Sequence, residues 1–181
     1  DSVVNGKQLL ITGGNYQFCD GMTSPFCKKH CNRAVNSVVR SEILKKEIIT
    51  PLGAYSEIRT DKNAAIIAAN AQSLAMIESI IYQSTPCRTI CMSNLAIVEA
   101  IENKNEPDQI IIDYGIDVYL DMCNRHGVDK FILGCTHFDY LEGNIQKYVN
   151  NKGYQIEIIT PKKFMYSRIK EIVSNNEGKV K

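Results

Sequence analysis

The stretch that decides the fold is Phe131-Ile132-Leu133-Gly134-Cys135-Thr136-His137. Residues 130–134 predict a buried strand, because a short apolar run fits a strand that is covered on both faces. Cys135 follows this strand directly, and ligands of open α/β sheets bind at the carboxyl ends of strands. The helix predicted next favours a thiolate at its N-terminus, so Cys135 is a candidate base or nucleophile, and His137 can share a proton with it. The alternative is a cysteine that only packs in the strand-to-helix turn.

The chain beyond residue 60 alternates predicted strands with predicted helices. We predict strands at residues 63–69, 85–91, 130–134 and 155–160, and helices at residues 72–82, 95–102, 107–126, 141–150 and 162–174. Such alternation predicts a parallel sheet and the α/β class. The first 60 residues are less regular. They predict a helix at residues 37–46, a short strand at residues 47–52 and, within residues 1–30, only one weak strand at residues 16–19.

The composition excludes several classes of protein. The 21 basic and 20 acidic residues give a net charge of +1, which leaves no electrostatic signature for nucleic acid or an anionic membrane. No apolar run is long enough to span a bilayer. Seven cysteines cannot close into a full set of intrachain disulfides, and the first residues carry no secretory apolar region, so we expect a cytoplasmic protein with reduced thiols. The 181 residues suffice for one domain or two small ones.

The cysteines near the start of the chain allow a second interpretation. A cluster that could hold zinc consists of Cys19, Cys27, His30 and Cys31. Its spacing is a poor match, because it contains no pair of cysteines separated by two residues. We therefore rank a metal site last among the hypotheses. Cys87 and Cys123 are expected to be small buried hydrophobic residues.

Two cysteine motifs resemble those of a known family. The segment around Cys135 that runs Leu133-Gly134-Cys135-Thr136-His137-Phe138 is similar to the second-cysteine motif of glutamate racemases, in the cofactor-independent aspartate/glutamate racemase superfamily. The first-cysteine motif, usually Cys-Asn-Thr, resembles His30-Cys31-Asn32-Arg33-Ala34. Residues 90–99 resemble the segment that ends in the family's helper glutamate, and residues 1–6 and 18–27 resemble its opening and Pro-Tyr-Gly segments.

The resemblance implies a fold and a division into domains. In the family, two pseudo-symmetric, doubly wound parallel-sheet domains face a central cleft. Carried over, the first domain comprises residues 1–52 with residues 157–181, and the second comprises residues 53–156. The first is expected to be reduced, because the helix and strand that the family carries between the segments matching Phe26 and Cys31 are missing from the sequence.

The resemblance also implies an activity, which is racemisation of glutamate by proton transfer at Cα. One proton must leave one face while another arrives on the opposite face, which suits two acid/base groups, and the pKa of a thiol can be tuned for this task. By resemblance, the two acid/bases are Cys31 and Cys135, assisted by Asp1, Glu99 and His137. The residues expected to bind the substrate are Ser2, Pro25, Phe26, Asn32, Arg33, Ser73 and Thr136.

The resemblance implies neither pyridoxal phosphate nor a metal ion. The expected substrate is a small amino acid, glutamate or aspartate, with D-glutamate supplied for cell-wall peptide, and the expected assembly is a homodimer without nucleic-acid or membrane partners. Several substrate-binding positions depart from the family, among them Arg33 for a threonine and Ala69 and Gln72 for a pair of threonines. These departures favour the alternative, a catalytically inactive homologue that acts as a binding or interaction protein.

Overall fold

The structure, a computed structural model, describes residues 2–4, 7–11 and 48–177. The strands in these ranges are β1 (Ser2–Val4), β2 (Lys7–Ile11), β3 (Ile48–Ile49), β4 (Asn63–Ala68), β5 (Thr89–Ser93), β6 (Val128–Leu133) and β7 (Glu157–Ile159). The helices are α1 (Pro51–Ser56), α2 (Ala71–Ser84), α3 (Leu95–Glu102), α4 (Pro107–Asp113), α5 (Ile116–Arg125), α6 (Glu142–Asn151) and α7 (Pro161–Glu177). A 3-10 helix, Thr136–Leu141, lies between β6 and α6.

A four-stranded parallel sheet with the order β5-β4-β6-β7 organises residues 63–159. Every neighbouring pair in it is parallel, so each connection must cross over, and helices occupy these crossovers. The register places Ile66 of β4 opposite Cys91 on one side and Ile132 on the other. The predicted α/β class with a parallel sheet is confirmed.

The two central strands bury both of their faces, as their apolar sequences predict. In β4, Ala65 and Ile67 join the larger core cluster, while Ala64 and Ile66 join a second cluster on the opposite face. This division follows from the two-residue period of a strand, which points successive side chains to opposite faces. The second cluster packs under α2 through Ile77 and Ile81, whereas helices α3 to α6 supply about half of the larger cluster.

A second, three-stranded sheet contains the first strands of the chain. Strand β1 pairs with β2 in antiparallel register, with Ser2 opposite Leu9, and β2 pairs with β3 in parallel, with Ile11 opposite Ile49. The prediction of only one weak strand within residues 1–30 was wrong, because it did not weigh the sequence Asn5-Gly6, a pair typical of tight hairpin connections. The strand predicted at residues 16–19 and the helix predicted at residues 37–46 lie outside the described residues.

Strand β7 belongs to the four-stranded sheet. It pairs in parallel with β6, so residues 157–159 extend the four-stranded sheet, although the expected division assigned them to the first domain. The helix that follows, α7, packs against α1 and β3. Met165 of α7 and Ile49 of β3 form a small buried cluster with Phe164 and Ile169 at its margin. The division into two domains stays a prediction.

The single amphipathic helix predicted from residue 107 to residue 126 is two helices, α4 and α5. Gly115 separates them with a φ of 67°, a left-handed conformation that glycine adopts without steric cost. The prediction assumed that the helical spacing of apolar residues continues across Gly115, and the break ends that spacing. Ile112 of α4 and Val118 of α5 are 62% and 64% exposed.

Other predicted elements agree with the structure to within a few residues. Helix α3 has the predicted bounds, and β5 begins at Thr89 rather than at residue 85. The longest helix, α7, has 17 residues. Among the described residues, no helix combines the length and apolar character needed to cross a membrane.

Candidate functional site

Cys135 is held at the carboxyl end of β6 by a close backbone approach. The N–H of Gly134 donates a hydrogen bond of 2.8 Å to the carbonyl of Ile67 at the end of β4. A Cβ added at Gly134 would lie 2.7 Å from Cδ1 of Ile77 and 3.0 Å from the carbonyl oxygen of Ile67. Because no side chain fits there, glycine lets the end of β6 lie against β4 and α2. This packing fixes the backbone immediately before the cysteine.

The Cys135 thiol lies beside an imidazole, as the motif predicts. Its Sγ is 3.5 Å from Nδ1 of His137, which stands two residues further on in the 3-10 helix. The other ring nitrogen of His137, Nε2, is 3.3 Å from Oε1 of Glu102 at the end of α3. The residue Cys135 is only 3% exposed, whereas the side chains of His137 and Glu102 are 43% and 65% exposed. The Cys135 thiol, the His137 imidazole and the Glu102 carboxylate therefore form a chain of hydrogen-bonding groups. This chain runs from the buried thiol to the surface.

The carboxylate that lies beside His137 is that of Glu102, and the helper role of Glu99 stays a prediction. The resemblance assigns that role to Glu99, but the structure brings Glu102 to the ring. The two glutamates are three residues apart on α3 and are both exposed. Residues at this spacing occupy neighbouring positions on one helix face, so the sequence alone does not separate them. The orientation of α3 against the 3-10 helix decides between them.

Two of the residues predicted to bind substrate lie near the carboxyl ends of strands. Thr136 is the first residue of the 3-10 helix and is half-buried. Ser73 lies in the first turn of α2, where its N–H donates 2.9 Å to the side-chain oxygen of the capping residue Asn70. The Ser73 side chain is buried, and its hydroxyl has no hydrogen-bond partner among the residues that the structure describes.

Most of the predicted first half-site lies outside the described residues. This holds for Asp1, Pro25, Phe26, Cys31, Asn32 and Arg33, and also for Cys19, Cys27 and His30 of the alternative zinc cluster. Ser2 lies in β1, where its backbone pairs opposite Leu9. Within residues 48–177 no group of histidine, cysteine and acidic side chains is arranged to hold a metal ion.

Three polar side chains that no sequence motif marks each carry a buried oxygen atom. In the described part of the chain, the Tyr55 hydroxyl, one carboxylate oxygen of Asp139 and the Thr160 hydroxyl make no hydrogen bond. Burial raises the pKa of Asp139, while the nearby Lys162 lowers it. No local pattern marks these residues, because they come from α1, the 3-10 helix and the end of β7.

Cys123 shows what an ordinary structural cysteine looks like in this protein. It is fully buried in the larger core cluster, as predicted, and burial raises its pKa to about 12. Cys87 is only half-buried, so that part of the prediction was wrong. Neither residue has the histidine neighbour that Cys135 has in the structure.

Comparisons with known proteins point to one family. The chain is 21% identical over 155 residues to a glutamate racemase from Ralstonia nicotianae and 25% identical over 160 residues to one from Cupriavidus pinatubonensis. These alignments cover 79% and 80% of this chain but 55% and 57% of the relatives. The chain thus spans about half the length of the curated relatives it matches. No protein-family model matches it.

Solved structures agree in fold. A crystal structure of a Francisella tularensis glutamate racemase in complex with D-glutamate matches 81% of this chain and 55% of its own, with a TM-score of 0.56 and 17% identity. A glutamate racemase isoform from Bacillus anthracis matches 93% of this chain and 72% of its own, with a TM-score of 0.57 and 18% identity. The resemblance predicted from the cysteine motifs is confirmed, since this chain is similar to glutamate racemases in sequence and shares the fold of their solved structures.

Proposed function

We propose that this chain is an amino-acid racemase that interconverts L- and D-glutamate without a cofactor. The observation that carries the proposal is the placement of Cys135, a buried thiol at the carboxyl end of a parallel strand with an imidazole 3.5 Å away. The similarity to curated relatives named glutamate racemase supports the same reaction. The Francisella structure was determined with D-glutamate, which supports glutamate as the substrate.

In the proposed mechanism Cys135 is one of two acid/base groups. As a thiolate it takes the proton from Cα of one enantiomer, and as a thiol it returns a proton when the reaction runs the other way. Cys31 is proposed for the opposite face, with Asp1 as its helper. A carbanion that is reprotonated from the face opposite to the abstraction has the inverted configuration, so the two thiols exchange roles with the direction of reaction.

The surroundings of Cys135 suit a group that must gain and lose protons. The thiol is shielded from water, which strengthens its interactions with neighbouring charges. His137 connects it to the exposed carboxylate of Glu102 and so offers a route by which the proton exchanges with solvent. Thr136 and Ser73 are proposed to bind the polar ends of the amino acid through their hydroxyl groups. We also propose that the reaction takes place in the cytoplasm and supplies D-glutamate for peptidoglycan.

The test is interconversion of the enantiomers together with incorporation of deuterium at Cα in heavy water. We expect the chain to racemise glutamate and Cys135→Ala to lower the rate at least ~100-fold, because a positioned acid/base group contributes about that much or more. The matched control is Cys91→Ala, which removes an exposed thiol from the edge strand β5 and should keep the parent rate.

Two outcomes would contradict the proposal. A folded chain that neither interconverts nor exchanges the α-proton of L- or D-glutamate or aspartate is not a racemase, and binding of D-glutamate without exchange would then favour the inactive binding homologue. A Cys135→Ala variant that retains the parent rate would show that some other group acts at that face.

A further inference from the structure

A buried tyrosine stands beside the candidate thiol and lies outside every motif of the sequence. Tyr55 in α1 is 1% exposed, and its ring packs in the second core cluster with Ile77 and Ile132. Its hydroxyl has no hydrogen-bond partner among the described residues. Because a buried hydroxyl without a partner costs free energy, a tyrosine kept at such a place calls for an explanation beyond packing.

The packing places Tyr55 next to the segment that carries the thiol. Ile77, which shares a cluster with Tyr55, lies 2.7 Å from the Cβ position of Gly134, the residue before Cys135. Electrostatics agree with this placement. Burial raises the pKa of Tyr55 well above its ordinary value, and negative charge on Cys135 and then on Asp139 raises it further. The phenol therefore keeps its proton and can act toward these groups only as a hydrogen-bond donor.

We propose that Tyr55 is a positioning residue for Cys135, and that the Tyr55 hydroxyl donates a hydrogen bond to the Cys135 thiolate through one water molecule. A donor that bonds to the charged form favours that form, so the hydroxyl shifts the thiol toward the ionised state in which it accepts a proton. The apolar cluster around the ring supports this role, because it holds the phenol in place and keeps bulk water away.

The charged groups around the pair define the competing interpretation. His137 lies beside Cys135 and is followed by Glu102, while the negative charge of Asp139 acts on Tyr55. Asp139 is itself influenced by Lys162 and Lys163 of α7 and by Glu142 of α6. The Tyr55 hydroxyl could serve the Asp139 carboxylate instead of the thiolate. A test must therefore read the ionisation of Cys135 directly.

The experiment is an ultraviolet titration of the Cys135 thiolate in the full chain. The spectrum of each protein is compared with that of the same protein carrying Cys135→Ser, so that the other cysteines and the tyrosines cancel. We expect Tyr55→Phe to raise the midpoint by about one pH unit, because the phenyl ring keeps the packing and removes only the donor. Replacing Tyr55 with a fluorinated tyrosine, whose phenol is the stronger donor, should lower the midpoint.

The matched control is Tyr119→Phe. Tyr119 is also buried, but its hydroxyl already donates to the backbone carbonyls of Ile66 and Ile90. Loss of the Tyr119 hydroxyl should lower the thermal stability and leave the midpoint of the Cys135 titration unchanged. Tyr55→Phe should instead shift the midpoint of the Cys135 titration. Its thermal stability should be unchanged or higher in the pH range where Cys135 is a thiol.

Three results would overturn the proposal. One is a Cys135 midpoint that stays within about 0.3 units in Tyr55→Phe. A second is an equal shift in Tyr119→Phe, which would indicate a general structural effect. A third is a parent midpoint at or above that of an ordinary cysteine, about 8.5. Because the titration needs no substrate, failure of this proposal and failure of the proposed racemase activity are distinguished.

Discussion

At the scale of single residues, the chemistry open to the site depends on the difference in solvent exposure between Cys135 and its two neighbours, His137 and Glu102. The thiol is buried, whereas the imidazole of His137 and the carboxylate of Glu102 reach solvent. A thiol that is fully exposed gains little from one neighbouring charge, because water screens it. A thiol that is sealed off could not exchange its proton between turnovers. The observed gradient of exposure meets both requirements.

The identity of the helper glutamate gives a prediction at this scale. Glu102→Gln keeps the shape of the side chain and removes its charge, so it should slow glutamate interconversion about two- to fivefold, which is the modest effect expected of an exposed ion pair. The measurement is the rate for each enantiomer at low and high salt, where the effect should shrink as salt rises. Glu99→Gln should have the smaller effect, and the reverse order would restore the role that the resemblance assigned to Glu99.

At the scale of secondary-structure elements, the end of β6 depends on the absence of a side chain at Gly134. The nearest atoms to its Cβ position belong to both α2 and β4, so an added methyl group would have to move a buried side chain and a strand carbonyl at once. The segment that carries the thiol is therefore fixed by two packed elements rather than by its own turn. This arrangement suits catalysis, because reacting groups must be placed to within a fraction of an ångström.

Gly134→Ala tests that fixation. We expect it to lower the free energy of unfolding by about 1–3 kcal/mol, the usual cost of overpacking a core. Gly143→Ala in α6 is the matched control, because nothing lies within 4 Å of its Cβ position and alanine is the better helix former. Urea unfolding followed by circular dichroism measures both variants. Equal stability of the two would contradict the close approach seen at Gly134.

The elements also show where sequence patterns work and where they fail. Strand β4 and helix α3 were predicted nearly to the residue, because each is decided by a contiguous run of side chains. The prediction of one helix across Gly115 was wrong. It treated the apolar residues on both sides of the glycine as one continuous helical pattern, but Gly115 adopts a φ of 67°, which ends the helix. Strands β1 and β2 were missed because the pair Asn5-Gly6, which is typical of tight hairpin connections, was not taken as a turn signal.

At the scale of the whole molecule, the buried apolar residues divide unevenly. The larger cluster involves β4, β6 and helices α3 to α6, and the second cluster covers the opposite face of the same sheet. Among the residues that the structure describes, the cluster between β3 and α7 has two buried members, Ile49 and Met165. Since local stability follows buried apolar contact, α7 should open more easily than the four-stranded sheet.

Amide hydrogen exchange tests this difference. Met165→Ala removes half of the buried pair in the small cluster, so it should speed exchange in α7 at least ~10-fold and leave the slowest amides of β4 and β6 unchanged. Ile132→Val, in the centre of the sheet, should instead speed exchange of those slowest amides, because they exchange through global unfolding. Uniform acceleration by Met165→Ala would show that the molecule unfolds as a single unit.

The sequence by itself determined the α/β class, the buried strands at the centre of the sheet, and Cys135 with His137 as the candidate site. These features depend on neighbouring residues, because strand burial, the strand-to-helix turn and a two-residue spacing are all local. Only the packed structure shows that Glu102 rather than Glu99 meets His137, that β7 joins the four-stranded sheet, and that Tyr55 packs with Ile77 and Ile132 near the end of β6. Each of these relations joins side chains or strands far apart along the chain. Such contacts are set by how helices and strands pack, and no local pattern encodes the result.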